Sequence, residues 1–179
     1  SLSIVTFLFS LSIFFFCSHL VICNCLVQFM EEPIMAILPI LEAPHPILSK
    51  VAKPVTEEQF GEELVQLIND MVVTMYDAPG VGLAAPQVGH SLQVLVADPG
   101  NEEGKSERKL YRIVNPVILE KSKETISYEE SCLSVPAFYL MTKRYKRILL
   151  QWQDGMGNIH QEHFEGFPSI VLQHEMDHL

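Results

Sequence analysis

The sequence predicts an α+β fold in which antiparallel sheets surround a helix at the C-terminal end, with an amphipathic helix nearer the N-terminus. Apolar residues recur every three or four positions over residues 57–76, which is the spacing of one helix face. They alternate with polar residues in several later segments and return to helical spacing from Ile170. Because helices and strands do not alternate one by one, a parallel βαβ sheet is not expected.

The composition is that of one ordinary domain with a distinct first segment. A chain of 179 residues with 48% apolar residues is long enough for one core and too apolar to be disordered. Four cysteines are too few for a disulfide-stapled secreted module. Twelve basic residues against 22 acidic ones argue against non-specific binding to nucleic acid or to an anionic membrane.

Residues 1–34 are predicted to be an apolar leader outside the folded domain, which we place at residues 35–179. Residues 1–30 contain no Asp, Glu, Lys or Arg, and the first basic residue is Lys50. About 20 apolar residues can cross a bilayer, but a secretory signal needs a basic start and a transit peptide needs arginines. Translated sequence upstream of the true start, a membrane anchor and an unusual targeting segment remain open, and Met35 is a plausible start.

Local signals place the elements of the domain in order. Prolines make residues 39–55 an extended arm, and Thr56 with Gln59 forms the capping box of a helix over residues 57–76. Strands with period-two alternation follow, and a hairpin turn joins the last two of them. The predicted strands cover residues 92–97, 110–115, 124–132, 145–153 and 159–165, with a polar loop at 99–108 and a closing helix from residue 170.

The strongest functional signal is the string His174-Glu175-Met176-Asp177-His178 in the closing helix. Residues four apart share a helix face, so both imidazoles can reach one divalent metal while Glu175 handles a proton beside it. The alternative is an exposed helix end that carries two incidental histidines. A catalytic site of this type needs a third protein ligand. We expect it either upstream, where the candidates are Cys132, His160, His163 and several carboxylates, or in a segment that the given sequence lacks.

Two further strings contain unusual residues. Cys132 stands in Glu130-Ser131-Cys132-Leu133-Ser134, where it is either a thiolate ligand or a buried inert thiol. The small residues of 80–89 let the backbone approach a neighbour closely, while their glycine spacing does not match a nucleotide-binding loop. That segment is either a helix-to-strand turn or a site where Gln87 donates to a developing oxyanion.

Together and in this order, the three strings resemble the peptide deformylase family. That family shows G-φ-G-φ-A-A-x-Q, then E-G-C-φ-S, then H-E-φ-D-H, and residues 80–87, 130–134 and 174–178 match them. The resemblance covers about residues 35–179. It also leads us to expect a truncated C-terminus, because the family continues beyond its last ligand whereas only Leu179 follows His178 here.

The resemblance implies a metal-dependent hydrolase that removes the formyl group from the N-terminal formyl-methionine of newly made polypeptides. It implies Cys132, His174 and His178 as metal ligands and Glu175 as general base and then acid. A metal-bound hydroxide would attack the formyl carbon. The family's native metal is Fe(II), which Zn(II) or Ni(II) can replace. The Gln87 amide and the backbone N–H of Leu133 would stabilise the oxyanion.

The same resemblance implies how the substrate is held. Gly82 would lie against the substrate backbone, and the pocket for the methionine side chain would be lined by Val81, Tyr128, Phe167, Ile170 and Val171. One departure concerns Ser131, which stands where the family usually has glycine. If that position requires a positive φ, serine costs on the order of 1 kcal/mol.

The expected partners are nascent formyl-methionyl polypeptides, with contact to the ribosome left open and no direct nucleic-acid binding expected. The expected compartment is the bacterial cytoplasm, with an organellar or membrane-anchored form through residues 1–30 as the alternative. Two other functions remain open: a metallopeptidase that cleaves internal peptide bonds, and an inactive family member that binds nascent chains or metal.

Overall fold

The computed structural model describes residues 35–100 and 109–179. The predicted leader at residues 1–34 therefore lies outside the described residues, as does most of the polar loop predicted at 99–108. Within the described ranges, no helix is long and apolar enough to cross a membrane.

The arm predicted at residues 39–55 is extended apart from one 3₁₀ turn, Pro46–Ser49. Its backbone pairs with segments that flank the predicted site. The N–H of Leu41 donates to the carbonyl of Gln87 at 2.7 Å, and the N–H of Ala43 donates to the carbonyl of Ser134 at 2.9 Å. The arm thus fastens two chemically important strings that lie far apart in sequence.

The first helix, α1, spans Glu62–Asp77 and begins five residues later than predicted. The capping interaction exists, since the N–H of Thr56 donates to Oε1 of Gln59 at 2.9 Å. However, it caps a separate 3₁₀ turn at Glu57–Gln59, and the chain bends again at Gly61 before α1 starts. The apolar face of α1 is buried as the spacing predicts, at Leu64, Ile68, Met71, Val72 and Met75.

All of the strand pairs in the two sheets are antiparallel, which confirms the predicted α+β class. A five-stranded sheet has the order β1-β2-β3-β6-β7, and β4 pairs only with β5. The seven strands are β1 (Gly82–Ala84), β2 (Val94–Ala97), β3 (Tyr111–Lys121), β4 (Thr125–Cys132), β5 (Val135–Tyr145), β6 (Arg147–Gln153) and β7 (Ile159–Glu165).

Two strands were not predicted, and one is longer than predicted. β1 is a fully buried Gly-Leu-Ala segment, too short to show alternation. β5 is exposed on both faces over residues 135–141, so apolar and polar residues do not alternate along that part of the strand. β3 continues past Pro116 because the register shifts between Val114 and Val117, and a bulge tolerates the missing N–H of a proline.

The second helix, α2, spans Phe167–Asp177 and begins three residues before the predicted start. It packs against β1, β2 and β7 of the larger sheet. β2 alternates between two cores: Val94 and Val96 join the α1 side, and Leu95 and Ala97 join the α2 side. This two-sided burial fixes α2 over the edge strand β1, next to the paired strands β4 and β5.

Candidate metal centre

Three potential metal ligands converge from two elements. Cys132 is the last residue of β4, His174 lies in the last turns of α2, and His178 caps the helix end. One ligand atom from each residue lies within 4.8 Å of the others, and Sγ of Cys132 is 3.3 Å from Nε2 of His178. A thiol and two imidazoles at this separation suit a divalent transition metal.

The other two histidines considered as the third ligand lie elsewhere. The ring of His160 stacks on Trp152 with 5.6 Å between centroids, and its Nε2 lies 3.0 Å from Oδ2 of Asp154. His163 is exposed on β7, paired with Leu149 of β6. Among the described residues, only Cys132 completes the group with His174 and His178.

A carboxylate orients the first histidine. Oε2 of Glu130 lies 2.8 Å from Nδ1 of His174, which leaves Nε2 of that ring for a metal. Arg144 holds Glu130 in turn, with its Nε 2.7 Å from Oε1 and its Nη2 2.8 Å from Oε2. Burial alone would raise the pKa of Glu130, but hydrogen bonds from Arg144, Thr142 and His174 outweigh it and lower that pKa to about 2. Glu130 is therefore a permanent anion behind His174.

Burial shifts the pKa of each of the other two candidate ligands, His178 and Cys132, towards the uncharged form of the side chain. Burial, followed by the neighbouring His174, lowers the pKa of His178 to about 4, so its ring is neutral at neutral pH and free to act as a ligand. Burial raises the pKa of the Cys132 thiol, against hydrogen bonds from backbone groups of Ser134 and Val135. A bound cation would reverse this shift because it favours the thiolate.

Glu175 is buried between α2 and β1 with one oxygen unsatisfied. Its Oε2 has no hydrogen-bond partner among the described residues, and burial, with the charge of Glu130 second, raises its pKa to about 8. A Cβ added to Gly82 would lie 2.7 Å from both Cγ and Cδ of Glu175. Only glycine at position 82 leaves room for this carboxyl group. A buried carboxyl oxygen without a partner beside three metal-type ligands fits a site that holds a metal and a water.

Gln87 is also buried and fixed at both ends of its amide. Its Oε1 accepts from the N–H of Ala84 at 2.8 Å, so the NH₂ group faces away from that strand. Nε2 donates to Oγ of Ser134 at 3.1 Å and lies 3.6 Å from Sγ of Cys132. Leu133 follows Cys132 directly, and its side chain packs against the α1 core, which anchors its backbone beside the centre.

An apolar pocket of about 170 Å³ lies beside these groups. Its lining includes His174 and Glu175 together with all five side chains predicted for a methionine pocket. The rings of Tyr128 and Phe167 contact each other with 5.6 Å between centroids. The five predicted residues are Val81, Tyr128, Phe167, Ile170 and Val171.

Comparison with known proteins identifies the family. The family model for polypeptide deformylase matches residues 37–179. The chain belongs to the peptide deformylase family. It is 46% identical over 143 residues to the peptide deformylase of Wolinella succinogenes, covering 79% of this chain and 82% of that one. It is 48% identical over 148 residues to that of Rhizorhabdus wittichii, covering 81% and 82%.

Solved structures of peptide deformylases share the fold. The Thermotoga maritima enzyme matches with a TM-score of 0.73 and 43% identity, over 80% of this chain and 91% of that one. A Met-Ala-Ser-bound enzyme from Acinetobacter baumannii matches with a TM-score of 0.76 and 34% identity, over 82% and 94%. The chain is thus a peptide deformylase-type hydrolase, from a metal-dependent family that removes the formyl group from the N-terminal methionine of nascent polypeptides.

Ser131 departs from the peptide deformylase pattern without straining the backbone. The non-glycine residues with positive φ in the described ranges are Pro79, Asn115 and Ala137, so Ser131 does not occupy the left-handed region. It lies on β4 opposite Tyr139, with an exposed side chain that lines the rim of the apolar pocket. The energetic penalty considered for serine therefore does not arise from backbone conformation.

Sequence reasoning missed the polar residues that surround this candidate metal centre. Glu130 stood in the quoted string, and the alternation along β4 already put it on the same face as Cys132. Thr142 and Arg144 lie on β5, which gave no periodic signal, although both contact Glu130. Nη1 of Arg144 also lies 2.5 Å from Oδ2 of Asp177 in α2, so one guanidinium group bridges the two elements that contain the candidate ligands.

Proposed function

We propose that this chain catalyses deformylation with Cys132, His174 and His178 holding one divalent metal and Glu175 transferring the proton. The observation that carries the proposal is the meeting of three ligand atoms within 4.8 Å beside an unpartnered, buried Glu175 oxygen. Burying a carboxyl oxygen without a hydrogen-bond partner costs free energy. A purely structural role for these residues would not explain that cost, whereas a role in catalysis would.

The metal would be held by one thiolate and two imidazoles. This ligand set suits Fe(II) or Zn(II), and Ni(II) as a replacement, with Fe(II) favoured by the family resemblance. When bound, the metal would supply Lewis acidity that activates water and polarises the formyl carbonyl. Glu130 supports the ligand role of His174 by accepting from Nδ1, so that Nε2 carries the free electron pair.

Glu175 would accept the proton from the attacking water and then deliver it to the leaving amine nitrogen. Gly82 supports this role, since its missing Cβ leaves the space that the carboxyl group of Glu175 occupies beside β1. The unpartnered Oε2 supports this role as well. No donor among the described residues occupies this oxygen, so it is available to accept the proton of a water molecule.

Gln87 and Leu133 would stabilise the negative charge that develops on the formyl oxygen. Nε2 of Gln87 lies on the Cys132 side of the centre and is held there by two hydrogen bonds of its own amide group. A donor that is already fixed needs no reorganisation when charge develops, which is the source of its catalytic effect. The backbone N–H of Leu133 would be the second donor.

The apolar pocket would take the methionine side chain, and Gly82 would let the substrate backbone approach β1. A flexible, unbranched thioether fills an irregular cavity of about 170 Å³ well. The substrate class is then nascent formyl-methionyl polypeptide, and the compartment in which such chains are made is the bacterial cytoplasm.

The test is formate release by the metal-loaded chain. A formyl-methionyl peptide should be hydrolysed, whereas an N-blocked peptide cleavable only at internal bonds should remain intact. Cleavage of the blocked peptide would favour a general metallopeptidase. Stoichiometric metal without formate release from either peptide would favour a binding protein without turnover.

A further inference from the structure

The short loop between α1 and β1, together with Gly82 at the start of β1, contacts three parts of the proposed centre. Val81 lines the apolar pocket, and Gly82 lies against Glu175. A Cβ added to Gly80 would lie 2.9 Å from Cδ1 of Leu133. A shift of this loop would therefore change the wall of the pocket and the packing around the reacting groups together.

A side-chain bond at the base of the loop holds it in place. Tyr76 lies in the last turn of α1, and its hydroxyl donates to Oδ2 of Asp98 at 2.6 Å. Asp98 directly follows β2, and its backbone N–H donates to the carbonyl of Val81 at 2.9 Å. Asp98 thus links the end of α1 to Val81 through a single residue.

Because Asp98 is buried, its hydrogen bond from the Tyr76 hydroxyl matters for the stability of its position. Asp98 is 4% exposed, and its Oδ1 has no hydrogen-bond partner among the described residues. A buried carboxylate is costly unless it is hydrogen-bonded, and among the described residues the hydroxyl of Tyr76 supplies its side-chain hydrogen bond. Without that hydroxyl, we expect the carboxylate to turn towards water and to move the backbone N–H that holds Val81.

We propose that Tyr76 and Asp98 are positioning residues that set the selectivity of the methionine pocket by fixing Val81. Neither side chain lines the pocket, so both act through the loop. The inference rests on the function proposed above and adds a determinant of substrate side-chain preference outside the pocket wall.

The test uses the metal-loaded full chain and two tripeptides that differ only at the first residue, formyl-methionine or formyl-alanine. The measured quantity is the ratio of the two kcat/KM values for formate release. In Tyr76→Phe we expect the preference for methionine to fall by about threefold or more, because selectivity in an apolar pocket follows the fit of its wall. The metal content should not change, because neither residue contacts a ligand side chain.

Tyr111→Phe is the matched control. It removes the same kind of bond, from a tyrosine hydroxyl to Oε1 of Glu162 at 3.0 Å, but Tyr111 lies in β3 and lines a different pocket. The control should leave the selectivity ratio unchanged even if it lowers the melting temperature.

A second measurement isolates the route through Val81. In a Val81→Ala background, Tyr76→Phe should change the ratio no further, because the side chain through which it acts is already removed. Equal losses of kcat/KM for both peptides in Tyr76→Phe would show a merely structural role and overturn the inference. So would an undiminished effect in the Val81→Ala background. Failure of the unmodified chain to release formate would instead refute the proposed function, and this inference with it.

Discussion

Replacing Gly82 by alanine should displace the proposed general base while leaving the metal ligands in place. The added Cβ would lie 2.7 Å from Cγ and Cδ of Glu175, whereas ordinary contacts begin at 3.4 Å. Oε1 of Glu175 lies closer still, so Glu175 must retreat by more than about 0.7 Å, and it is confined because α2 packs directly on β1. A misplacement of about 1 Å can cost 10²-fold in rate, so we expect kcat to fall by roughly 10- to 100-fold. Overpacking should also lower the free energy of unfolding by about 1–3 kcal/mol.

The assay is formate release from a formyl-methionyl peptide, measured with metal content and melting temperature on the same preparation. Gly155→Ala is the control, because its Cβ would lie 3.2 Å and 3.3 Å from the terminal methyl groups of Val65 and Ile68, which can move aside. That variant should keep its kcat. If Gly82→Ala retained kcat within about threefold with full metal, Glu175 would not need its present position, and the argument for its role would fail.

The remaining predictions concern the ligands, the proton, the oxyanion and the leader. Cys132→Ala should abolish stoichiometric metal binding, measured by elemental analysis, and full metal content would exclude the thiolate as a ligand. Glu175→Gln should keep the metal and lose about 10²–10⁴-fold in kcat, whereas a loss below tenfold would be too small for a general base. Gln87→Leu should lower kcat by about 10² or more, because a prepositioned oxyanion donor is lost, and an unchanged kcat would remove it from that role. A chain that starts at Met35 should match the full chain in detergent in melting temperature and kcat/KM, and an unfolded shorter chain beside an active longer one would make residues 1–34 part of the fold.

Much of the fold followed from local pattern. The buried face of α1 and the hydrophobic alternation of β6 are periodic, so burial agrees with spacing at Leu64, Ile68, Ile148, Leu150 and Trp152. The predicted hydrogen bond between Thr56 and Gln59 is present, but the predicted start of the helix was wrong. The bond caps a 3₁₀ turn, and Gly61 separates that turn from α1. β5 could not be predicted, since a strand that is exposed on both faces over most of its length has no alternation to detect.

In the candidate site, too, some residues could be named from the sequence, whereas their contacts depend on how separate segments pair. The residues of the pocket wall were named from the resemblance, and the structure brings all five around one cavity. The contacts of Glu130 with Thr142 and Arg144 were not foreseen, although Glu130 itself was in view. They depend on the pairing of β4 with β5, and register between strands is a property of two segments together.

The sequence by itself determined which residues could carry the chemistry. Two histidines four apart share a helix face whatever surrounds them, because that spacing is a property of the helix alone. Only the tertiary structure decided that Cys132, rather than His160 or His163, meets those histidines, and that Gly82 makes room for Glu175. These outcomes join residues more than 40 positions apart. They depend on how α2 and β4 pack against the sheet, which no local pattern specifies.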